Sequence, residues 1–277
     1  MQGASECVEE LVDKGKKLII LSNTSSSAEA AEAKLPKLGF DSSQFVGAVT
    51  SGSEASHYIA QEYAGKKALF LTWKTPIVPS PYQFLELCGN IEVTDQVDEV
   101  DFCILHGADV LRGHGVDGEA TETSLGSFAM DGDFSIIDPI LKKCLARKLP
   151  MVCSNPDYTM VRPDGSMGHM PGKISDRYQD LGGPVVAFGK PHVPHFEACL
   201  RELGLPRDRV CHVGDSLHHD IKGANDTGID SVFVAGGIHR KELGSKKLGE
   251  LPDQDDLEEL FEKHSQTPTH VVPLLSM

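Results

Sequence analysis

The stretch His212-Val-Gly-Asp215-Ser-Leu-His-His-Asp220-Ile-Lys-Gly-Ala-Asn225 decides the fold of this chain. The residues at 209–213 predict a strand, and the residues that follow Asp215 predict the opening of a helix. Gly214 between them permits a tight turn directly after the strand. This arrangement predicts that Asp215 lies at the carboxyl edge of a sheet, where open α/β sheets bind their ligands.

Two acidic side chains of this stretch, Asp215 and Asp220, are candidates for a metal site. A carboxylate at the end of a strand suits Mg²⁺, which prefers oxygen ligands. Asp220 is then expected to hold a metal-bound water or to orient a lysine. Taken alone, the same letters also fit a plain turn at Asp215 and a surface position at Asp220, so both interpretations stay open.

Strand and helix patterns alternate along the rest of the chain. Apolar, β-rich runs predict strands at 17–21, 47–50, 67–71, 101–105, 151–153, 184–188, 231–234 and 269–274. Helical patterns lie at 28–38, 54–63, 136–148, 173–181 and 257–264. Pro, Gly and Asp at 157–168 predict a hairpin or loop. Strands that alternate with helices predict an α/β protein with a doubly wound, mostly parallel sheet.

The composition narrows the class of protein. The net charge of −15 over 277 residues argues against a nucleic-acid-binding surface, because such surfaces are basic. No apolar run approaches the roughly 20 residues that cross a bilayer, so no membrane association is predicted. The seven cysteines show no C-x-x-C spacing and predict neither a disulfide framework nor a zinc site. Scattered thiols without a leader pattern predict a cytoplasmic protein, unless an upstream targeting segment has been lost.

A single lysine follows the strand predicted at 184–188, in the stretch Ala187-Phe-Gly-Lys190-Pro-His-Val-Pro194. The Pro residues predict that a helix starts just after it. Lys190 then lies at a helix N-terminus, close to Asp215 if the two strands are neighbours. A lysine in this place neutralises a phosphate and the acidic pair together. Taken singly, Lys190 also fits an ordinary exposed lysine.

Hydroxyl and amide side chains end the first predicted strand, in the stretch Ile20-Leu-Ser22-Asn23-Thr24-Ser25. Ser22, Asn23 and the backbone N–H groups after them are candidate donors to phosphate oxygens. Ser25 or Ser27 also fits the N-cap of the helix that follows. Capping by these residues does not exclude a phosphate role for Ser22.

The order of these signals carries more information than any one of them. A hydroxyl, a lysine and a G-D-x-x-x-x-D pattern follow one another, each at the end of a predicted strand. In this order they resemble the haloacid dehalogenase superfamily. Ser22 matches its second motif, Lys190 its third, and Asp215 with Asp220 its fourth. The resemblance covers nearly the whole chain.

The long segment between the second and third motifs resembles the α/β cap domain of NagD-like members of this superfamily. The resemblance implies a Rossmann-like core at 1–50 and 181–277, with a cap inserted at 51–180. Asn155-Pro-Asp157 resembles the Asn-Pro-Asp of that cap, so both polar residues are expected to face the substrate. Cap-to-cap dimers of the subgroup make a homodimer a further expectation.

The first motif of the superfamily, D-x-D or D-x-x-G after an apolar strand, is not found ahead of Ser22. Residues 3–11 resemble the helix that follows this motif, so the core is expected to lack its first-motif strand, as in an N-terminally truncated chain. Asp131 and Asp133 have the right letters but no good strand before them, and Asp109 has no second Asp. All three are expected to be loop residues.

In the superfamily, the first Asp of the missing motif accepts the phosphoryl group. The resemblance therefore implies a Mg²⁺-dependent phosphatase of a small phosphorylated metabolite in the complete protein, with Lys190 and Ser22 as catalytic residues. This chain is expected to be inactive, because covalent transfer has no acceptor. Two alternatives stay open: a non-catalytic protein that binds phosphate or a partner through Ser22, Lys190 and Asp215, and an α/β scaffold without a ligand.

Overall fold

The computed structural model describes residues 3–76, 80–114, 120–162, 166–244 and 249–276. The chain divides into two compact units. Unit 1 comprises Met1–Leu21, Glu32–Val49 and Lys190–Met277, and unit 2 comprises Ser22–Ala31 and Thr50–Gly189. Each unit therefore draws on segments that are far apart in the sequence.

Strands occur along both units. In chain order they are β1 (Ile20–Ser22), β2 (Ala48–Thr50), β3 (Lys67–Thr72), β4 (Glu92–Val93), β5 (Phe102–Leu105), β6 (Val110–His114), β7 (Ala120–Ser124), β8 (Met151–Cys153), β9 (Thr159–Val161), β10 (Met167–His169), β11 (Val185–Ala187), β12 (Cys211–Gly214), β13 (Asp230–Val234) and β14 (His270–Val272).

Helices follow most of the strands. In chain order they are α1 (Ala4–Asp13), α2 (Ala28–Glu32), α3 (Leu35–Leu38), α4 (Ser51–Glu62), α5 (Pro81–Leu87), α6 (Phe128–Asp131), α7 (Ile137–Ala146), α8 (Gly172–Asp180), α9 (Val193–Leu203), α10 (Lys222–Thr227) and α11 (Gln254–His264). Gly39, Gly204 and Gly228 end α3, α9 and α10 in the left-handed conformation that glycine adopts without strain.

Unit 2 is built on a mostly parallel sheet with the strand order β11-β8-β5-β3-β6-β7, and β4 pairs with the start of β3. The pairs β11–β8, β8–β5 and β5–β3 are parallel. The pairs β3–β6 and β6–β7 are antiparallel. A separate antiparallel hairpin joins β9 to β10.

Helices cover both faces of this sheet, because successive side chains of a strand point to opposite faces. Leu69 and Leu71 of β3 pack on one side, in a core formed with α6, α7 and α8. Ala68 and Phe70 pack on the other side, in a core formed with α4 and α5. The strand is buried on both faces, as its continuous apolar run predicts.

The described strands of unit 1 form two small sheets, although the last residues of β1 and β2, Ser22 and Thr50, are counted with unit 2. β1 pairs with β2, and β12, β13 and β14 form a parallel three-stranded sheet in that order. Leu217, Ile221, Phe233, Leu243 and Leu260 form the core between the three-stranded sheet and α11. The predicted α/β class with a mostly parallel sheet is confirmed.

The single helix predicted at 28–38 is wrong, because the structure has two short helices there, α2 and α3. Pro36 lies in the first turn of α3. It has no N–H to donate to the carbonyl of Glu32, so a continuous helix through this point would lose a hydrogen bond. The segment at 157–168 contains the β9–β10 hairpin, as predicted.

None of the helices in the described ranges is long and apolar enough to cross a membrane.

Candidate active site

The turn after β12 brings Asp220 back against the end of the strand. A five-residue π-type turn, Leu217–Ile221, connects β12 to α10. A Cβ atom at Gly214 would lie 2.2 Å from Cγ of Asp220, so only glycine leaves room for this carboxylate. The glycine predicted for a tight turn thus also provides the space for the second acidic side chain of the motif.

The buried carboxylate of Asp220 accepts four hydrogen bonds. Its Oδ1 accepts from Nζ of Lys190 at 2.8 Å and from Nε2 of His212 at 2.9 Å. Its Oδ2 accepts from the backbone N–H of Asp215 at 3.1 Å and of Ser216 at 3.0 Å. Asp220 therefore holds the lysine and the turn that carries Asp215 in one arrangement.

The charge of Asp220 is maintained by its neighbours. Burial alone would raise its pKa, but Lys190 and His212 hold the pKa of this carboxyl well below its ordinary value. The pKa of the nearby His219 imidazole is lowered as well, to about 4. Burial is the largest cause, followed by the neighbouring His218 and Lys190. At neutral pH the site thus contains an ionised Asp220 and a neutral His219.

Asp215 lies at the end of β12, as predicted, and is only partly buried. Its Oδ2 accepts the backbone N–H of Ile238 at 3.1 Å. A Cβ atom at Gly237 would lie 2.2 Å from both Cβ and Oδ2 of Asp215. The glycine therefore lets the backbone after β13 approach the carboxylate closely and orient it.

Lys190 reaches this acidic pair by a route other than the one predicted. The expectation was conditional on β11 and β12 being neighbours, but β11 pairs with β8 and β12 pairs with β13. Lys190 is instead the first residue of the segment that enters unit 1, three residues ahead of α9. Its ammonium group nevertheless donates to Oδ1 of Asp220 at 2.8 Å, although the strands that precede the two residues are not paired.

The carboxylate oxygens at the end of β12 are of the type that binds a hard divalent cation. Asp215 offers carboxylate oxygen at the end of a strand, and one of its oxygens is oriented by the backbone N–H of Ile238. Asp220 does not fit as a direct ligand, because both of its oxygens already accept hydrogen bonds. A site with one protein carboxylate would rely on water for most of its ligands and would hold Mg²⁺ weakly.

Ser22 and Asn23 belong to unit 2 and begin the second-motif loop, residues 22–27. The hydroxyl oxygen of Ser22 accepts the N–H of Thr24 at 3.3 Å. Nδ2 of the buried Asn23 donates to Oδ1 of Asp157 at 2.8 Å. The structure thus brings together two residues predicted from different motifs, and their roles in ligand binding stay predictions.

The second-motif loop is anchored by the start of α4. Oγ1 of Thr50 donates to the carbonyl of Ser26 at 2.8 Å, and the N–H of Gly52 donates to the carbonyl of Thr24 at 3.0 Å. A Cβ atom at Gly52 would lie 2.2 Å from the carbonyl oxygen of Ser25. Loop carbonyls thus cap the first turn of this helix.

The hydroxyl of Ser51 contacts both the second-motif loop and the residue that follows β8. Its Oγ lies 3.0 Å from the carbonyl oxygen of Thr24 and 2.7 Å from that of Ser154, and the residue is completely buried. We expect Ser51→Ala to lower the free energy of unfolding by about 1–3 kcal/mol, because buried carbonyls lose their donor. Urea unfolding measures this change.

Ser43→Ala serves as the matched control for Ser51→Ala, because Ser43 is exposed and lies in another segment. We expect this control to stay within about 0.5 kcal/mol of the parent chain. Equal effects of the two substitutions would contradict the anchoring role of Ser51.

Asn155 is buried in a turn and does not point to open solvent. Its Oδ1 accepts the N–H of Asp157 at 3.1 Å. The carbonyl of Asp157 in turn accepts the N–H of Gly172 at 2.9 Å, at the start of α8. These bonds hold the Asn-Pro-Asp segment in shape, and the substrate contacts expected of Asn155 and Asp157 stay predictions.

None of the three other aspartates considered for the first motif directly follows a strand. Asp131 ends α6, Asp133 follows in a loop where it accepts from Ser135, and Asp109 accepts the N–H of Lys74 at 3.2 Å. Asp131 is thus the last residue of a short helix, whereas a loop was predicted. None of the three shows the strand–Asp arrangement of a first motif.

Sequence reasoning assigned no role to two residues of the site, His212 and Gly237. His212 is a polar residue inside an apolar strand, and this was the available signal for its contact with Asp220. Gly237 had no local signal, because it meets Asp215 only after the chain has returned through β13.

Three models of one superfamily match the chain. A haloacid dehalogenase-like hydrolase model matches residues 1–77, a second model with the same description matches residues 130–228, and a HAD-hydrolase-like model matches residues 187–276. The matched segments include the second-motif loop, Lys190, Asp215 and Asp220.

Curated relatives of the chain include two phosphatases. A dihydroxyacetone phosphatase of Corynebacterium glutamicum (strain R) is 24% identical over 121 residues, which are 44% of this chain and 38% of that protein. The match thus spans well under half the length of this relative. A 4-nitrophenylphosphatase of Schizosaccharomyces pombe is 24% identical over 266 residues, 91% of this chain and 83% of that protein.

Solved structures share the fold. NagD from E. coli K-12 superimposes with a TM-score of 0.64 at 18% sequence identity, over 100% of this chain and 90% of that one. Such a likeness at low identity concerns the fold alone. The ordered motifs and the three family models together assign the chain to the haloacid dehalogenase-like hydrolases.

Proposed function

We propose that this chain has the phosphate- and metal-binding site of a phosphatase that acts on a small phosphorylated metabolite. The observation that carries the proposal is the Lys190–Asp220 ion pair at 2.8 Å, in which Asp220 also accepts the backbone N–H of the partly exposed Asp215. A buried carboxylate that holds a lysine next to a second carboxylate is arranged to handle a doubly charged anion together with a cation. In this proposal the protein is cytoplasmic and a homodimer.

Each residue has a distinct part in the proposal. Lys190 donates to phosphate oxygens, and Asp220 keeps its ammonium group oriented and ionised. Within unit 2, Ser22 and Asn23 are proposed donors to phosphate oxygens, and Asn155 and Asp157 are proposed to contribute to substrate selection. A Mg²⁺ ion on Asp215, when bound, supplies positive charge that offsets the charge of the phosphate.

The 277 residues supply no aspartate at the position of the superfamily's nucleophile. The proposal therefore includes that this chain by itself binds phosphate without hydrolysing it, since no side chain takes up the phosphoryl group. The second candidate function, a non-catalytic phosphate- or partner-binding protein, is favoured by the same observation.

Phosphate binding is tested by ligand-induced stabilisation. We expect inorganic phosphate with Mg²⁺ to stabilise the chain, by about 1.4 kcal/mol at a concentration tenfold above its Kd. Lys190→Met should abolish this shift, because the cation that meets the anion is gone. Thermal unfolding with and without phosphate measures the effect.

Lys222→Met is the matched control, because Lys222 forms an exposed pair with Asp226 in the neighbouring helix. This variant should keep the full response to phosphate. A phosphate response that survives Lys190→Met would contradict the proposed role of Lys190.

Hydrolysis is tested with p-nitrophenyl phosphate and Mg²⁺. We expect the chain to release p-nitrophenol no faster than its Asp215→Asn variant, because no nucleophile is present. Turnover well above that of the variant would show that another side chain serves as nucleophile. A phosphate response combined with absent turnover agrees with the proposal for this chain.

A further inference from the structure

A cluster of metal-ligand side chains lies outside the site described above. His239, Glu242 and His264 each offer one ligand atom, and these atoms lie within 4.8 Å of one another. We infer that the three residues form a binding site for one divalent transition metal ion, such as Zn²⁺ or Co²⁺. The site uses no cysteine and is separate from the proposed Mg²⁺ site at Asp215.

The scaffold holds the three residues on two elements that share one core. His239 lies in the short 3₁₀ helix Ile238–Lys241, and Glu242 follows directly after it. His264 is the last residue of α11. Leu243 and Leu260, which flank these residues, are both buried in the core of unit 1. The ligand backbone positions are therefore fixed before a metal arrives, which reduces the cost of ordering them.

The strongest indication of a bound metal ion is the ring atom Nε2 of His264. Its Nε2 is buried and has no hydrogen-bond partner within the described residues. Buried polar atoms are rarely left in this state. The atom lies 3.8 Å from Oε2 of Glu242, which is too far for a hydrogen bond. Two metal–ligand bonds of about 2.0–2.1 Å that meet at an angle span such a gap.

The donor types of the three residues suit a transition metal ion. Two imidazoles and one carboxylate are ligands that Zn²⁺ and Co²⁺ prefer, whereas Mg²⁺ prefers oxygen alone.

Two groups compete with the ion and set its affinity. Nε2 of His239 accepts the N–H of Leu217 at 3.3 Å, so the ring proton lies on Nδ1, which is 2.8 Å from Oε1 of Glu242. A metal on Nδ1 moves this proton to Nε2 and removes the acceptor of Leu217. Nζ of Lys263 lies 2.6 Å from Oε2 of Glu242 and also competes for the carboxylate.

The test is a Co²⁺ titration of the untagged chain, followed by visible absorption, with Mg²⁺ present in excess to occupy the proposed magnesium site. We expect one Co²⁺ per chain and d–d bands of a nitrogen- and oxygen-ligated ion. The background carries Cys211→Ser, because Cys211 is the exposed thiol among the described cysteines. Intense near-ultraviolet thiolate bands would place the ion on cysteine and overturn the assignment.

Three variants test which residues bind the ion. His264→Gln should weaken Co²⁺ binding by more than about 100-fold. Loss of a residue that only hydrogen-bonds to a metal ligand typically costs about 10–100-fold. Lys263→Met should strengthen it by up to about fivefold, since a competing exposed ion pair is removed. His270→Gln changes an exposed histidine of β14 and should leave the affinity unchanged.

The variants are distinguishable because His264→Gln should lower the affinity for Co²⁺ and Lys263→Met should raise it. No saturable binding below millimolar Co²⁺ in the parent chain would overturn the inference, as would equal affinities of the parent and His264→Gln. Circular dichroism of each variant before the titration shows that it is folded, and tighter binding by Lys263→Met would support the site even if His264→Gln failed to fold. Phosphate-induced stabilisation, measured in parallel, reports on the proposed function independently.

Discussion

Replacing Asp220 with alanine should lower the stability of unit 1 by about 3–5 kcal/mol, because it removes one partner of a buried ion pair. The substitution leaves Lys190, His212 and two backbone N–H groups without the carboxylate that accepts their hydrogen bonds. Hydrogen exchange of the amides of β12, together with urea unfolding, measures the loss. The exchange data report on unit 1 directly.

Asp226→Ala is the control for Asp220→Ala. Asp226 lies one turn and a half further along the chain in an exposed ion pair with Lys222. Its removal should change stability by no more than about 1 kcal/mol. A comparable loss in both variants would show that the burial and the four hydrogen bonds of Asp220 contribute little.

The effect of Asp220→Ala should also depend on pH, with a defined sign. The pKa of Asp220 in the folded chain lies well below its unfolded value of about 3.9. The stability contributed by this carboxylate is therefore fully present above about pH 4 and is lost as the pH falls through the acidic range. The difference between the parent chain and the variant should shrink below about pH 4.

Gly237→Ala should displace Asp215 and is the second prediction with a large effect. The added Cβ would lie 2.2 Å from Cβ and Oδ2 of Asp215, a separation at which one of the two residues must shift. Overpacking of this kind typically costs about 1–3 kcal/mol. Because Asp215 is the proposed ligand of Mg²⁺, the stabilisation of the chain by Mg²⁺ with phosphate should also be lost in a thermal unfolding assay.

The neighbouring Ile238→Ala variant separates crowding from general disturbance of the turn. Ile238 is 62% exposed, and its backbone N–H, which donates to Asp215, is unaffected by the substitution. We expect stability within about 0.5 kcal/mol of the parent chain and an unchanged response to Mg²⁺ with phosphate. An unchanged response in Gly237→Ala would contradict the proposed metal role of Asp215.

Much of the secondary structure could be predicted because its signals are local. The strand predicted at 151–153 coincides with β8, and the 157–168 hairpin was indicated by its Pro, Gly and Asp residues. The helix predicted at 28–38 is an exception, because Pro36 interrupts the hydrogen bonds that its apolar period suggested. The antiparallel β6–β7 pair was not predicted, because β7 is largely exposed and has little apolar signal.

The sequence by itself determined the turn at Gly214 and the place of Asp215 at the end of a strand. These features depend on a glycine, a short apolar run and their immediate neighbours, so the physics acts within a few residues. Only the tertiary structure decided that Lys190 contacts Asp220 although their strands belong to different sheets, and that Gly237 packs against Asp215. Contacts between residues so far apart depend on how whole elements pack, and no local pattern records that packing.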